Sequence, residues 1–400
     1  MIRTSKLAGS IQPSATLAAG AKARQLRAAG VHVHDFSLGE PDFPTPAHIC
    51  AAANEAMATG QTHYTPAGGT AELKAAVARW YARTYGYEFK PECVIVSNGA
   101  KHSLHNALAA TVGPDDEVII PTPYWVSYSD LVTMTGATAV LVPTAMESGF
   151  KMTPAQLKAA VTPKTRILML NSPSNPTGSV YTRAELEALV DVLEPTEVAV
   201  LSDEIYEQLT YGDAKPTCVA TLRPWLRDRT ITVSGASKSY AMTGWRIGWA
   251  IAPPAVVKAM DTIQSQETSC PSSVSQYAMI TALDSPASVT SVAAMREEFA
   301  ARKLLTISLL SAMPGIKLYP PDGAFYAFFD VSAYVGKTFG GVKVTDSLTF
   351  CAAALEQAHV NLVAGVAFGA ENFARMSFAT GRDVIEAGLK ALADWLKTGS

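Results

Sequence analysis

Between residues 94 and 251, short β-branched or apolar runs alternate with longer, Ala-rich amphipathic stretches, and this rhythm restricts the chain to an α/β architecture. The runs at 94–97, 117–121, 139–142, 167–171, 198–203, 230–234 and 249–251 are each the length of a single strand. Helical periodicity covers 71–83, 103–110, 154–160 and 183–193. A helix between two strands brings the chain back in its original direction, so the expected core is a mostly parallel, mixed seven-stranded sheet sandwiched by helices.

Residues 288–313 read as one long helix ended by Pro314-Gly315. Shorter strands at 324–329 and 375–378 and helices at 346–358 and 383–397 follow, which predicts a second, smaller α+β domain. The expected limits are 1–48 for an N-terminal arm with part of the small domain, 49–287 for a large domain, and 288–400 for the interdomain helix and small domain.

A chain of 400 residues can bury such cores, which excludes a single small binding module. Hydrophobic residues at 48 % against 17 % charged argue against a disordered chain. A net charge of −3 leaves no polybasic footprint for nucleic acid or an anionic membrane, so small-molecule partners are expected. Cys50, Cys93, Cys218, Cys270 and Cys351 are odd in number and form no C-x-x-C pair, which fits a reducing cytoplasm. Gln12, Pro13 and Ser14 interrupt any signal-peptide core, and no apolar stretch is long enough to span a bilayer.

Lys238 stands in Ser234-Gly-Ala-Ser-Lys-Ser-Tyr-Ala-Met-Thr-Gly-Trp-Arg-Ile-Gly248, downstream of Asn171-Ser-Pro-Ser-Asn-Pro-Thr-Gly178 and Ser202-Asp-Glu-Ile-Tyr206. A lysine amine condenses with aldehydes, although most lysines are solvated surface charges. Asp203 and Tyr206 follow the apolar run 198–201, which would deliver them to a sheet's carboxyl edge. A carboxylate there keeps a pyridine nitrogen protonated, and a helix-capping Asp203 is the competing reading. Tyr206 can donate to a phenolate oxygen, while Asn175 suits either a cofactor and carboxylate contact or an Asx turn.

Ser97-Asn-Gly-Ala-Lys101 joins a strand to a helix, leaving free N–H groups for a phosphate at Gly99, Ala100 and Lys101. The run has neither P-loop spacing nor a G-x-G-x-x-G. Trp125 is either a ring that stacks on a cofactor or a packing aromatic. Arg246 suits a phosphate and Arg375 a carboxylate, and each alone is an ordinary salt-bridge partner.

In this order the motifs look like a pyridoxal 5'-phosphate site, and the chain resembles a class I aminotransferase of the fold-type I enzymes, in the aspartate aminotransferase branch. The resemblance runs from Pro13-Ser-Ala-Thr16 to the last helix. It implies Lys238 as the Schiff-base lysine, Asp203 at the pyridine nitrogen and Tyr206 at the phenolate oxygen. Asn175, Trp125 and Arg246 match further cofactor contacts, with Gly99, Ala100 and Lys101 as the phosphate loop. Many relatives carry serine three residues before the lysine, where this chain has Gly235 between Ser234 and the candidate Ser237.

The same resemblance places Gly39, Trp125, Asn175 and Arg375 around a substrate α-carboxylate, with Lys101 and Thr16 as candidates for a distal one. Tyr64 corresponds to a tyrosine that reaches a neighbouring subunit's phosphate, which implies a homodimer with shared sites. Phe378 stands where tyrosine is usual, and Ala364-Gly-Val-Ala-Phe-Gly369 departs from the common pattern before Arg375. The implied reaction moves an amino group from an L-amino acid, aspartate or glutamate first, to a 2-oxo acid such as 2-oxoglutarate by a ping-pong mechanism.

Prephenate or aromatic transamination is an alternative that Gln12 before Pro13 leaves open. Cysteine-conjugate β-elimination is another alternative on the same scaffold. A non-catalytic, cofactor-sensing regulator is the remote one, with no segment ahead of Pro13 for a DNA-binding module and no basic stripe.

Overall fold

The computed structural model of the chain describes residues 2–11, 13 and 15–400, with the side chains of 15–17 left out of that description. Gln12 and the Thr16 side chain therefore lie outside the described residues.

Seven strands build the central sheet: β1 (Val94–Ser97), β2 (Glu117–Thr122), β3 (Thr138–Pro143), β4 (Thr165–Asn171), β5 (Ala199–Asp203), β6 (Thr230–Gly235) and β7 (Gly248–Ile251). Their spatial order is β1-β7-β6-β5-β4-β2-β3. Pairings among β2 to β6 are parallel, whereas β7 runs antiparallel to both β1 and β6. The reversal has a local cause. Residues between β6 and β7 form no α-helix, only a 3-10 turn at Thr243–Trp245, so the chain turns straight back.

The sheet is apolar on both faces, which is why its strands read as continuous hydrophobic runs rather than alternating ones. Ile95, Ile167, Met169 and Val233 pack on one side with Leu104 and Leu108 of helix Ala100–Thr111 and Val257 and Met260 of helix Pro254–Glu267. Leu168, Leu170 and Val200 face the other side against Leu186, Leu189 and Val190 of helix Arg183–Leu193. That helix opens on a capping box in which Thr182 and Glu185 satisfy each other's backbone N–H groups.

Beyond the long helix Pro286–Ser311 a second sheet forms from β8 (Lys317–Leu318), β9 (Tyr326–Asp330), β10 (Val363–Ala364) and β11 (Phe373–Ser377), ordered β10-β11-β9-β8 and antiparallel. Strand β9 starts two residues later than the sequence predicts, because Ala324 takes a left-handed φ of 56°. Helices Ser347–Ala358 and Arg382–Leu396 cover this sheet, and Phe36 of the N-terminal segment joins their core. Residues His34–Asp35 also pair with Val360–Asn361, tying the N-terminal arm to the C-terminal part. Among the described residues no helix is long and apolar enough to cross a membrane.

The parallel strands end together at one edge of the sheet, and the loops after β1, β2, β4, β5 and β6 emerge there. Strand β7 begins at that same edge, so Arg246 just before it enters the same space.

Candidate active site

A cavity of about 290 Å³ opens at this edge. Its lining includes Gly39, Ala100, Lys101, Trp125, Asn175, Asp203, Tyr206, Ser237, Lys238, Arg246 and Arg375. Residues far apart in sequence thus converge because successive strands deliver them to one line.

Asp203 ends β5 buried, with Oδ2 accepting from the Tyr128 hydroxyl at 2.7 Å and Oδ1 from the Ile205 N–H at 3.2 Å. It caps no helix. Burial pushes its carboxyl up to about 6, against the lowering effect of these hydrogen bonds and of Lys238. The Lys238 ammonium donates to the Gly39 carbonyl at 2.6 Å. Desolvation lowers its pKa to about 8; Glu40 opposes the shift, and Arg246 and Arg375 add to it.

Arg375 is 1 % exposed, on β11. Its Nη1 donates to Asn175 Oδ1 at 3.0 Å and its Nη2 to the Ser37 carbonyl at 2.8 Å. The Nε–H has no partner, and no carboxylate neutralises the guanidinium among the described residues. Its Cζ lies 4.5 Å from the Tyr326 ring centroid and 5.0 Å from that of Phe368. Asn175 is held in turn by Asn171, whose Oδ1 accepts the Asn175 N–H at 2.8 Å.

The opposite end of the cavity is built for an anion. Helix Ala100–Thr111 starts at Gly99 with no side-chain cap, so its first N–H groups stay unclaimed by any side chain. Gly99 has φ 87°, and a Cβ there would collide with the Arg246 guanidinium. The Lys101 ammonium sits 4.7 Å over the Trp125 ring, its pKa lowered by burial and then by Arg246. Glycine at 235 has a packing reason: a Cβ there would lie 2.9 Å from both the Ile247 carbonyl and Gly248 Cα across the β6–β7 pair. Ser234 points away to donate to buried Glu207 at 2.8 Å, which leaves Ser237 facing the cavity.

Tyr64 is not part of the cavity of its own chain. It is 90 % exposed, in a separate depression with His63 and Tyr277. Tyr128, Asn171 and Tyr326 also line the cavity and carry no motif signal of their own, although Asn171 begins the quoted Asn171–Gly178 run.

The model of the family described as aminotransferase class I and II matches residues 31–392. The chain belongs to this family. The aminotransferase is 48 % identical over 377 residues to the aspartate/prephenate aminotransferase of Cereibacter sphaeroides, covering 94 % of each chain. It is 44 % identical to the aspartate aminotransferase of Geobacillus stearothermophilus, covering 98 % of each. A crystal structure of the aspartate aminotransferase from Rhizobium meliloti superposes with a TM-score of 0.96 at 41 % identity, over the full length of both chains.

Beneath the site the aminotransferase buries two acids that the sequence reading passed over. Glu204 accepts from Ser202 and the Val219 N–H, and Glu207 from Ser234, with no cation against either. Burial raises Glu204 to about 7 and Glu207 to about 8. Both folded values exceed the unfolded value, so the folded state binds more protons and loses stability as pH rises from about 4.5 to about 8. Buried Asp203, raised to about 6, adds to this loss in cofactor-free protein. Glu207→Gln should remove the largest single share of the loss, as read from thermal midpoints across pH; an unchanged slope would contradict it.

Proposed function

We propose that this aminotransferase uses pyridoxal 5'-phosphate to move the amino group of aspartate or glutamate to a 2-oxo acid such as 2-oxoglutarate, in two ping-pong half-reactions. The observation that carries the reading is a desolvated lysine and a buried arginine opening into one cavity, neither paired with a carboxylate among the described residues.

The residues present fit the cofactor. Buried Asp203 accepts hydrogen bonds from Tyr128 and the Ile205 N–H but makes no ion pair among the described residues, and a protonated pyridine nitrogen would supply one. The open N-terminus at Ala100 and Lys101, with Ser237 and Arg246, suits the phosphate, and Gly99 leaves room for the Arg246 guanidinium beside it. Tyr206 and Asn175 suit the ring's phenolate oxygen, and Trp125 a ring face. Bound there, the cofactor supplies a sink for the electron pair left at Cα when its proton departs.

The chain's own groups do the rest. Arg375 offers a planar fork to the α-carboxylate, and Asn175 fixes that fork's direction, which turns the Cα–H bond toward Lys238. Lys238 anchors the cofactor and, once displaced by the substrate amine, takes the Cα proton at Nζ. Its pKa near 8 leaves a useful fraction as free amine close to neutrality. The Lys101 ammonium at the Trp125 face is placed for a distal carboxylate.

Lys101→Ala is expected to raise KM for aspartate and 2-oxoglutarate about tenfold while changing KM for alanine by less than about twofold. Equal effects on both donors would remove distal-carboxylate recognition. A second reading, prephenate as amino acceptor, is favoured by the name of the 48 % identical relative. Purified protein with pyridoxal phosphate, assayed with a panel of amino donors and oxo acids, tests both readings. Absence of any visible cofactor band would end them together.

The reading includes a homodimer with shared sites, supported by the exposure of Tyr64 away from its own cavity. It includes domain limits of 1–48, 49–287 and 288–400, supported by the separate apolar cores of the two sheets. A cytoplasmic location is supported by five cysteines that are all free.

A further inference from the structure

Tyr326 opens β9 and is among the largest fully buried side chains. Its hydroxyl lies 2.9 Å from that of Tyr206, and neither oxygen has another hydrogen-bond partner among the described residues. Its ring carries the Arg375 guanidinium at 4.5 Å. A Cβ on Gly39 would come within 2.9 Å of the Tyr326 oxygen, so that oxygen packs on the backbone that accepts the Lys238 ammonium.

Counting hydrogens decides the direction of the hydroxyl pair. Each phenol has one. If Tyr206 donates to Tyr326, it has nothing left for a ligand in the cavity that both residues line. If Tyr326 donates, the Tyr206 hydrogen stays free. Burial raises both phenols and the positive Arg375 opposes it at both, but Tyr206 is pushed well above its ordinary value and Tyr326 less far, which, with Arg375 lying over the Tyr326 ring, favours Tyr326 as the donor.

We infer that Tyr326 is a positioning residue: its hydroxyl donates to Tyr206 and leaves the single Tyr206 hydrogen for the cofactor's ring oxygen, while its ring seats Arg375. The inference rests on the pyridoxal-phosphate reading above. Hydrogen bonds in a chain polarise one another, so Tyr206 becomes a stronger donor than it would be alone. A stronger donor stabilises negative charge on the ring oxygen and so lowers the pH at which the lysine-bound cofactor loses its proton. The carboxylate-binding and cofactor-binding ends of the cavity thereby share one side chain.

Tyr326→Phe keeps the ring and removes only the donor. In the holoenzyme it is expected to raise the pH midpoint of the visible spectrum by roughly half a unit, about threefold in the proton equilibrium. KM for aspartate should change less than about threefold, since the Arg375 platform remains. Tyr326→Leu, which removes that platform, should raise KM about tenfold. With Tyr206→Phe already present, adding Tyr326→Phe should shift the midpoint no further.

The other titratable groups facing the cavity, Lys238, Asp203, Tyr128, Lys101, Arg246 and Arg375, are the same in every variant. A wild-type midpoint in Tyr326→Phe, or an equal shift in the Tyr206→Phe background, overturns the inference alone. A wild-type protein that binds pyridoxal phosphate without any visible band overturns the functional reading and this inference with it. Thermal midpoints of the variants identify a failure of folding, and then Tyr326→Phe is judged against Tyr326→Leu on the cofactor dissociation constant. A donor role lowers cofactor affinity in both, whereas equal affinity to wild type in the folded variant refutes it.

Discussion

Lys238→Ala is expected to lower kcat for amino transfer by at least about 10⁴-fold, since the change removes a cofactor anchor and a base in one step. Stability should not fall with it. The ammonium makes one hydrogen bond, to Gly39, and lies 6.0 Å from the Phe325 ring, while its lowered pKa shows that the folded protein disfavours its charge. Lys238→Arg should be nearly as inactive. A guanidinium does not deprotonate near neutrality, so it offers neither a nucleophilic amine nor a base. The measurements are steady-state rates with aspartate and 2-oxoglutarate, together with the visible spectrum of protein reconstituted with pyridoxal phosphate. The band of lysine-bound cofactor should vanish in both variants, while the phosphate end still retains some cofactor on dialysis. More than 1 % residual transfer in the alanine variant would remove Lys238 from the chemistry.

The inner strands were legible because they are buried on both faces, and the edge strand Thr138–Pro143, half-exposed, through its apolar run alone. A run such as 167–171 therefore has no polar alternation to confuse it, and the observed β4 differs only at its start. Helix Ser273–Asp284 was not legible, because it buries polar residues where periodicity demands apolar ones. Its Gln276 accepts from the Thr70 N–H at 2.8 Å and donates to Thr65 and to the Pro271 carbonyl. Within the site, Lys238 and Asp203 could be found because each lies in a local run with a characteristic order of residue types. Tyr128 and Tyr326 could not, since their roles exist only through partners 75 and 120 residues away. Gly235 reads in the sequence as a missing serine, and only the tight β6–β7 pairing supplies its reason.

Arg375→Lys is expected to lower kcat/KM for aspartate by about 10² to 10³-fold, mostly through KM. The guanidinium divides its donors between Asn175 Oδ1 and the Ser37 carbonyl and keeps Nε–H free, an arrangement that already resembles a fork missing its carboxylate. An ammonium is a compact charge. It cannot bond both protein oxygens and grip a carboxylate edge-on, nor spread its charge over the Tyr326 and Phe368 rings as a guanidinium can. Asn175 Oδ1 would lose its only charged donor inside a buried pocket and with it the orientation it passes to the substrate. A structural role alone would also reduce activity, so the deciding comparison uses an amine with no α-carboxylate. For that amine the wild-type and Arg375→Lys proteins should react with the cofactor at rates within about threefold of each other, because Arg375 has no carboxylate to hold. If the amine loses as much as aspartate does, the buried arginine supports the fold and some other group binds the substrate.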